Sequence, residues 1–249
     1  MTHWLAPLRQ ALDSAAAPVR FFFRDDDAGW DDPALAALLS VFEDHSVPLD
    51  VAVIPTATDT ATATLLRDRI DSGRNDVAVH QHGFAHVNHE AEGRKCEFGA
   101  SRPAEQQRRD IEYGRELLAS SFPDAVPAFT PPWNRCAPWT PEVLRDVGFE
   151  VLSRDLSAGR AGIAGLVELP VSVDWFGKIA RVPVGPEGRG ALLASGCTQG
   201  QPVGVMLHHA VMSVDDLTQL GELLEVVVAH PHVSVHHLHH LAMAADTHR

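Results

Sequence analysis

The densest group of reactive side chains is the run Phe21–Trp30, in which Asp25, Asp26 and Asp27 follow three aromatic residues and an arginine. The aromatic residues predict a short buried strand. Adjacent carboxylates repel one another, so a core strand that runs into three of them calls for a cation or a shared proton. A solvated acidic turn that caps the following helix is the competing interpretation, because aspartate is a good N-cap residue.

The chain has 15 histidines, clustered at His80–His89, His208–His209 and His230–His240. His82 and His86 are four residues apart, so on one helical turn both imidazoles can reach a single ion. Together with an aspartate they would form a two-histidine, one-carboxylate metal site. Zinc hydrolases and non-haem iron oxygenases both use this arrangement. The alternative is a pair of surface histidines on a long loop.

Two further candidates follow apolar runs. Two prolines fix the backbone ahead of Trp133, which we interpret either as a pocket wall that offers a backbone N–H to a developing oxyanion or as a core residue. His208 directly follows the run VGVML, a suitable position for a general acid because histidine titrates near neutral pH. A hydrogen-bonded core histidine is the alternative for His208 and for His209.

The remaining polar segments carry weaker signals. We interpret His80 and His89 as structural or as supports for the metal ligands. The loop segment Arg94–Gly99 is assigned either to substrate contact or to anchoring of the loop. No carboxylate lies close in sequence to the C-terminal histidines, so we expect structural or adventitious roles for His236, His237, His239 and His240.

The elements that must position these residues alternate between short apolar strands and amphipathic helices. Strands are predicted at 21–24, 49–55, 76–80, 127–130, 149–153, 167–174, 203–207 and 233–236. Helices are predicted at 3–16, 32–45, 61–72, 103–120, 140–147 and 214–229, with weaker helical character at 186–195 and a terminal helix after the last strand. This alternation predicts an α/β domain with a parallel sheet, and its length favours a closed or nearly closed barrel.

All of the candidate residues are predicted to follow strand ends. In parallel α/β barrels the loops after the strands meet at one face, where active sites are built. We therefore expect side chains that are far apart in sequence to come together there. These are Asp25 to Asp27, His82 and His86, Trp133 to Arg135, Asp174 and Trp175, and His208 and His209.

Composition argues against several classes of protein. A net charge of −13 with no basic run argues against a nucleic-acid or anionic-membrane surface. The 3 cysteines show no C-x-x-C spacing, so neither a disulfide framework nor a cysteine zinc site is supported. Neither a signal peptide nor an apolar run of ~18 residues is visible. We expect a soluble, cytoplasmic, single domain over 1–249, in which an N-terminal helix within 1–18 packs on the barrel. No sequence feature indicates the oligomeric state.

In this order the motifs resemble those of the polysaccharide deacetylase family, which has the NodB-homology fold. The family carries T-F-D-D-G, H-[S/T]-x-x-H and R-x-P-[Y/W] motifs, then a motif containing D-W and an L-x-H motif. The resembling segments lie between Phe21 and His209. The resemblance implies a distorted (β/α) barrel with about seven parallel strands. It also implies metal-dependent removal of an acetyl group from an N-acetylated sugar or a related small amide.

The resemblance further implies a role for each matched residue. Asp26 would be the base, and His208 would be the acid that protonates the leaving amine. Asp27, His82 and His86 would hold a divalent ion, Zn²⁺ or another divalent transition metal. Substrate-binding or supporting positions would be Arg24, Asp25, Pro132, Trp133, Arg135, Asp174, Trp175 and His209.

Three positions depart from the family motifs. Ala28 replaces a glycine, Gly83 stands where serine or threonine is usual, and Thr130 occupies the place of the arginine that orients the catalytic aspartate in the family. We expect Arg24 or Arg135 to take over the role of that arginine.

Two other functions stay open. Loss of the arginine motif would suit a non-catalytic protein that keeps the metal and binds a ligand. A non-haem iron oxygenase would use the same ligand types. Such enzymes place H-x-D and a distant histidine on a β-sandwich, whereas this chain alternates between helices and strands.

Overall fold

The computed structural model of the chain describes residues 3–73, 76–177 and 184–246. Its strands are β1 (Val19–Ala28), β2 (Leu49–Val53), β3 (Val77–His82), β4 (Ala128–Thr130), β5 (Val151–Leu152), β6 (Val167–Glu168), β7 (Val173–Asp174), β8 (Val203–Leu207) and β9 (Val233–Val235). Its helices are α1 (Ala6–Asp13), α2 (Asp32–His45), α3 (Thr60–Asp71), α4 (Ala104–Ser121), α5 (Thr140–Val147), α6 (Pro186–Cys197), α7 (Val214–Ala229) and α8 (Leu238–Asp246).

The strands form one parallel sheet in the order β6-β5-β4-β3-β2-β1-β8-β7, and β9 pairs with the start of β1. The two end strands, β6 and β7, are separated in the chain only by residues 169–172. Within this segment Leu169 N donates to Leu152 O at 3.1 Å, and Ser172 N donates to Gly204 O at 2.9 Å. The segment therefore passes from β5 to β8, and the sheet curls into a nearly closed barrel.

The predicted distorted (β/α) barrel with parallel strands is confirmed. The strand predicted over 167–174 is divided into β6 and β7, because Pro170 between them has no backbone N–H to join a ladder. Parallel pairing of all the described strands also removes the β-sandwich on which the iron-oxygenase alternative depended.

Some predicted strand ends were wrong in a consistent direction. Asp25, Asp26 and Asp27 lie inside β1 and not after it, and His82 is the last residue of β3. The reason is that Asp25 still pairs with Val51 of β2 and with Leu207 of β8, so the ladder continues into the acidic run.

Alternation along β1 divides its residues between two environments. Phe21 and Phe23 pack outward, with Phe42 of α2 in the same cluster, whereas Phe22 points into the barrel with Met206. The same alternation sends Arg24 inward after Phe23. The aromatic residues of the strand therefore pack on both of its faces and fix the position of the polar residues that follow them.

The N-terminal helix α1 covers one side of the barrel. Leu5, Leu8 and Leu12 are fully buried, and α1 packs against α6. Trp4 lies edge-on to Trp175, with ring centres 6.3 Å apart. Within the described ranges, no helix has both the length and the apolar character that crossing a membrane requires.

Near the start of β2, where Asp50 lies, His237 bridges two carboxylates. Its Nδ1 lies 3.2 Å from Oδ1 of Asp50 and its Nε2 lies 2.8 Å from Oδ1 of Asp76. Both ring nitrogens face acceptors, so the ring is an imidazolium. Burial lowers the pKa of His237, but Asp50 and Asp76 outweigh it and raise that pKa to about 9. Asp50 also accepts the backbone N–H of Leu238 at 2.9 Å, so the pair fixes the start of α8.

We predict that this bridge makes stability depend on pH. The pKa of His237 is 6.5 before folding and about 9 after it, so the stabilisation is complete below pH 6.5 and is lost as the pH rises through about 9. Burial also raises the pKa of Asp50, so the contribution of this carboxyl group to stability likewise decreases as the pH rises. The difference in unfolding free energy between the wild type and His237→Gln should shrink by about 3 kcal/mol between about pH 6 and pH 10.

Denaturant unfolding at several pH values measures this difference. His232→Gln, at an exposed position nearby, is the matched control and should show no such trend. A difference for His237→Gln that stays constant across the pH range would contradict the prediction.

Candidate active site

The end of β1 and the loop after β3 bring Asp27, His82 and His86 together. Oδ1 of Asp27 lies 3.1 Å from Nε2 of His82 and 3.1 Å from Nε2 of His86. The Nδ1–H of His82 donates to the carbonyl oxygen of Thr130 at 3.0 Å. This bond orients the ring so that Nε2 faces the carboxylate, as in metal-binding histidines.

A divalent ion fits this donor set. The three ligand atoms lie within 4.8 Å of one another, and two imidazole nitrogens with one carboxylate oxygen leave positions open for water and substrate. Burial raises the pKa of Asp27, but hydrogen bonds with His82 and His86 outweigh it and hold that pKa below its usual range. Asp27 is therefore ionised, as a carboxylate that binds a metal ion must be. These donors suit zinc and several other divalent transition metals.

The spacing of His82 and His86 predicts that they share a helical turn, and this prediction is wrong. His82 ends a strand and His86 lies in a loop with φ of 55°. Asp27, Trp133 and Asn134 also have positive φ, at 73°, 56° and 58°. Such conformations cost about 1–3 kcal/mol each and persist where the surrounding structure enforces them. Four of the six described non-glycine residues with positive φ lie here, so backbone strain is concentrated at the site.

The carboxylate of Glu97 holds the loop between the two histidines. It accepts the backbone N–H groups of Phe84 at 3.1 Å and Ala85 at 2.7 Å, and it is fully buried. Gly83 has φ of +57°, and a Cβ there would collide with Glu97 and with Pro132. This contact explains why glycine replaces the serine or threonine of the family motif. Within the Arg94–Gly99 segment, Glu97 therefore anchors the loop.

Arg24 provides the guanidinium that Thr130 lacks. Its Nε lies 2.8 Å from Oδ1 of Asp26 and its Nη2 lies 2.9 Å from Oδ2, a two-bond contact between buried groups. Nη1 donates to Ser153 Oγ at 2.7 Å, and Nη2 donates to Asn134 Oδ1 at 2.8 Å. The two residues are two apart on β1, so their side chains point to the same face of the strand.

The surroundings of Arg24 set the charge state of the aspartate. Burial raises the pKa of Asp26, but the charges of Arg24, His82 and His208 outweigh it, so the pKa lies below its usual range. Thr130 instead bonds through its hydroxyl to His80 Nε2 at 2.9 Å. Burial, and then the charge of Arg24, lowers the pKa of His80 to about 3, which keeps this histidine neutral.

The two histidines after β8 diverge. Nε2 of His208 lies 4.0 Å from Oδ2 of Asp27, at the pocket. His209 turns away, and its Nδ1 lies 2.6 Å from Oδ2 of Asp25, while its Nε2 donates to Trp30 O at 2.7 Å. Burial lowers the pKa of His209, but Asp25 outweighs it and raises that pKa to about 9. Asp25 and His209 are therefore a buried ion pair behind the site.

All five residues predicted to act in catalysis or metal binding line one pocket of about 240 Å³. Trp133 and Arg135 line it as well. Sequence reasoning had not assigned site roles to three further lining residues, Asn134, Asp155 and Met206. Asn134 lies between Trp133 and Arg135 in a polar segment that the sequence singles out, but Asp155 and Met206 carry no motif or spacing that identifies them.

Other predicted site residues do not reach the pocket. Trp175 is fully buried, with the guanidinium of Arg189 4.5 Å from its ring centre, so it packs in the core. Asp174 lies in β7 beside Met206, and its Oδ1 accepts the backbone N–H of Phe176 at 3.1 Å. Pro132 is buried against the loop at Gly83. We expected Asp174 and Trp175 at one face and Pro132 in a substrate-binding or supporting position, but none of the three lines the pocket.

No family model matches the sequence, and no curated protein matches it. Solved structures are similar in fold. An inferred polysaccharide deacetylase from Mycobacterium smegmatis is 18% identical, with a TM-score of 0.66, over 94% of this chain and 95% of that chain. A family 4 acetyl xylan esterase from Clostridium thermocellum, in complex with cobalt, is 16% identical, with a TM-score of 0.60, over 91% and 92%.

A CE4 family pseudoenzyme from Bacillus anthracis is also similar, at 11% identity and a TM-score of 0.59, over 92% of this chain and 66% of that chain. The chain therefore has the fold of the family 4 carbohydrate esterases and polysaccharide deacetylases. This confirms the resemblance to that family at the level of the fold, which active enzymes share with a pseudoenzyme.

We predict that Glu97→Ala weakens Zn²⁺ binding by about tenfold or more, because the loop that carries His86 loses its buried acceptor. Isothermal titration calorimetry of the metal-free protein measures the affinity. Glu92→Ala changes an exposed carboxylate of the same loop and should bind Zn²⁺ like the wild type. Equal affinities for the two variants, with both folded by circular dichroism, would show that the anchor plays no part.

Proposed function

We propose that the protein is a metal-dependent amide hydrolase that removes an acetyl group from an N-acetylated sugar or a related small amide. The observation that carries this proposal is the contact between Arg24 and Asp26 beside the Asp27, His82 and His86 cluster. A carboxylate held ionised by an arginine, next to a metal site, is equipped to accept a proton from an attacking water.

The residues divide the reaction between them. Asp26 takes a proton from the water as its oxygen adds to the carbonyl carbon. His208 then gives a proton to the amide nitrogen as the C–N bond breaks, so that acetate and a free amine leave. An ion held by Asp27, His82 and His86 would lower the pKa of a water and polarise the carbonyl.

A backbone N–H is available to bind the developing oxyanion. The N–H groups of Asn134 and Arg135 already donate to Pro131 O and Pro132 O. Among the described residues, the N–H of Trp133 makes no hydrogen bond, and the Trp133 side chain lines the pocket. We therefore assign the oxyanion contact to Trp133 N–H.

The size of the pocket supports a small substrate, since about 240 Å³ lies below the range of about 300–1,000 Å³ that is usual for small-molecule sites. Three free cysteines suit a reducing compartment, in line with the expected cytoplasmic location. A non-catalytic binding protein is the second candidate, because a pseudoenzyme shares the fold. The buried arginine on Asp26 favours the enzyme.

The test is metal analysis of the purified protein combined with acetate release from a panel of N-acetylated sugars. We expect Asp26→Asn to bind Zn²⁺ like the wild type while its kcat falls at least about 100-fold, since the base is lost and the ligands stay. His232→Gln, at an exposed position that does not line the pocket, is the control with full activity. Unchanged turnover by Asp26→Asn would refute the role of the base. Metal binding without turnover of any substrate would favour the binding protein.

A second prediction concerns Arg24→Lys, which keeps the positive charge but loses the two-bond contact with Asp26. The pKa of Asp26 should rise towards its ordinary value, because burial is then less well opposed. The acid limb of the pH profile of kcat/KM should therefore move to higher pH. An acid limb at the same pH, with a folded variant, would show that another group sets the charge of the base.

A further inference from the structure

We propose that the substrate carries an anionic group, a phosphate or a carboxylate, in addition to its N-acetyl group, and that Arg94 and Arg135 bind this group at the mouth of the pocket. This proposal rests on the proposed function for the acetyl end of the substrate. It adds a substrate class and a second binding region to the site.

Four residues form what we call the basic rim, namely Arg94, Lys95, Trp133 and Arg135. Nη1 of Arg135 donates to the carbonyl oxygen of Lys95 at 3.0 Å, which holds the guanidinium against the loop. Nζ of Lys95 lies 6.0 Å from the ring centre of Trp133. Arg94, Trp133 and Arg135 all line the pocket. Arg94 and Arg135 thus bring two positive charges to the pocket, and that of Lys95 lies beside Trp133, in a chain with 20 basic and 33 acidic residues.

The charges of Arg94 and Lys95 differ from those of nearby arginines. Arg24 is held by Asp26, and Arg154 is held by Glu168 at 2.7 Å. Within the part of the chain that the structure describes, no carboxylate lies within ion-pair distance of Arg94 or Lys95. Both residues are exposed, so their charge is available to a ligand.

One carboxylate of the pocket lining restricts an anion to this rim. Asp26 is paired with Arg24, and Asp27 would be neutralised by a bound ion, so Asp155 is the lining carboxylate whose charge repels an anion. Asp155 is buried and accepts the backbone N–H of Ser157 at 2.7 Å. It is therefore fixed in place, where it suits a sugar hydroxyl donor and not an anionic group.

Arginine is the side chain best suited to binding an anionic group at the rim. Its planar fork binds phosphate or carboxylate oxygens with two parallel hydrogen bonds. Either anion satisfies the rim, so the test must separate them. Suitable probes are N-acetylglucosamine, its 1-phosphate, its 6-phosphate, and N-acetylmuramic acid, which carries a carboxylate.

The first measurement is acetate release by the Zn²⁺-loaded protein with each probe. We expect kcat/KM for at least one anionic sugar to exceed that for N-acetylglucosamine by about tenfold or more, mainly through KM. The position and type of the preferred anion identify its source. The preference should weaken as salt rises, because exposed charges are screened.

The second measurement uses Arg94→Gln and Arg135→Gln. Each should lower the ratio of kcat/KM for the preferred anionic sugar to that for the neutral sugar by about tenfold. Arg109→Gln changes an exposed arginine of α4 by the same charge and should leave the ratio unchanged. The proposal would be overturned by a wild-type ratio close to 1, or by a ratio that neither rim variant changes. Neither result would contradict the proposed amide hydrolase activity.

Calorimetric binding of the two sugar phosphates gives a readout that needs no turnover. If no sugar is hydrolysed, the proposed function fails by itself. Phosphate-dependent binding that is lost in both rim variants and kept in Arg109→Gln still supports the rim. Absence of binding, or binding of the neutral sugar with equal affinity, overturns it.

Discussion

The buried ion pair between Arg24 and Asp26 is the constraint on which the site depends. A charge inside a barrel is tolerated only when it is paired and hydrogen-bonded. The guanidinium meets this condition by bonding to Asp26 and also to Ser153 and Asn134, which follow β5 and β4. One side chain of β1 thereby positions the loops of two other strands. The proposed base and the pocket wall consequently share a single anchor.

Three consecutive aspartates acquire three different environments because of strand geometry. Asp26 points into the barrel with Arg24, and Asp25 points to the opposite face, where it pairs with His209. The pairing register between β1 and β2 shifts between Asp25 and Ala28, and Asp27 at this irregularity has φ of 73°. Such breaks in a ladder redirect a side chain. Asp27 therefore faces His82 and His86 in spite of its place in the alternation.

The sequence predicted more of the side chains that line this site than of the residues that hold them in place. The order of the motifs was enough to expect a parallel barrel and to bring Asp27, His82 and His86 together. It also named Arg24 and Arg135 as substitutes for the missing arginine without choosing between them. Glu97, which holds the loop between the histidines, belonged to a segment with two possible roles. Its contacts are with backbone N–H groups, which leave no pattern in the sequence.

By itself, the sequence determined the fold class and the side chains that could bind a metal ion or transfer a proton, because periodicity and residue type are local properties. Only the tertiary structure decided which arginine meets Asp26. Arg24 does so because it lies two residues before the aspartate on one strand, whereas Arg135 is held at the pocket mouth by the carbonyl of Lys95. It also decided that His209 and Trp175 lie behind the site, since the direction of a side chain at a strand end depends on its neighbours across the sheet.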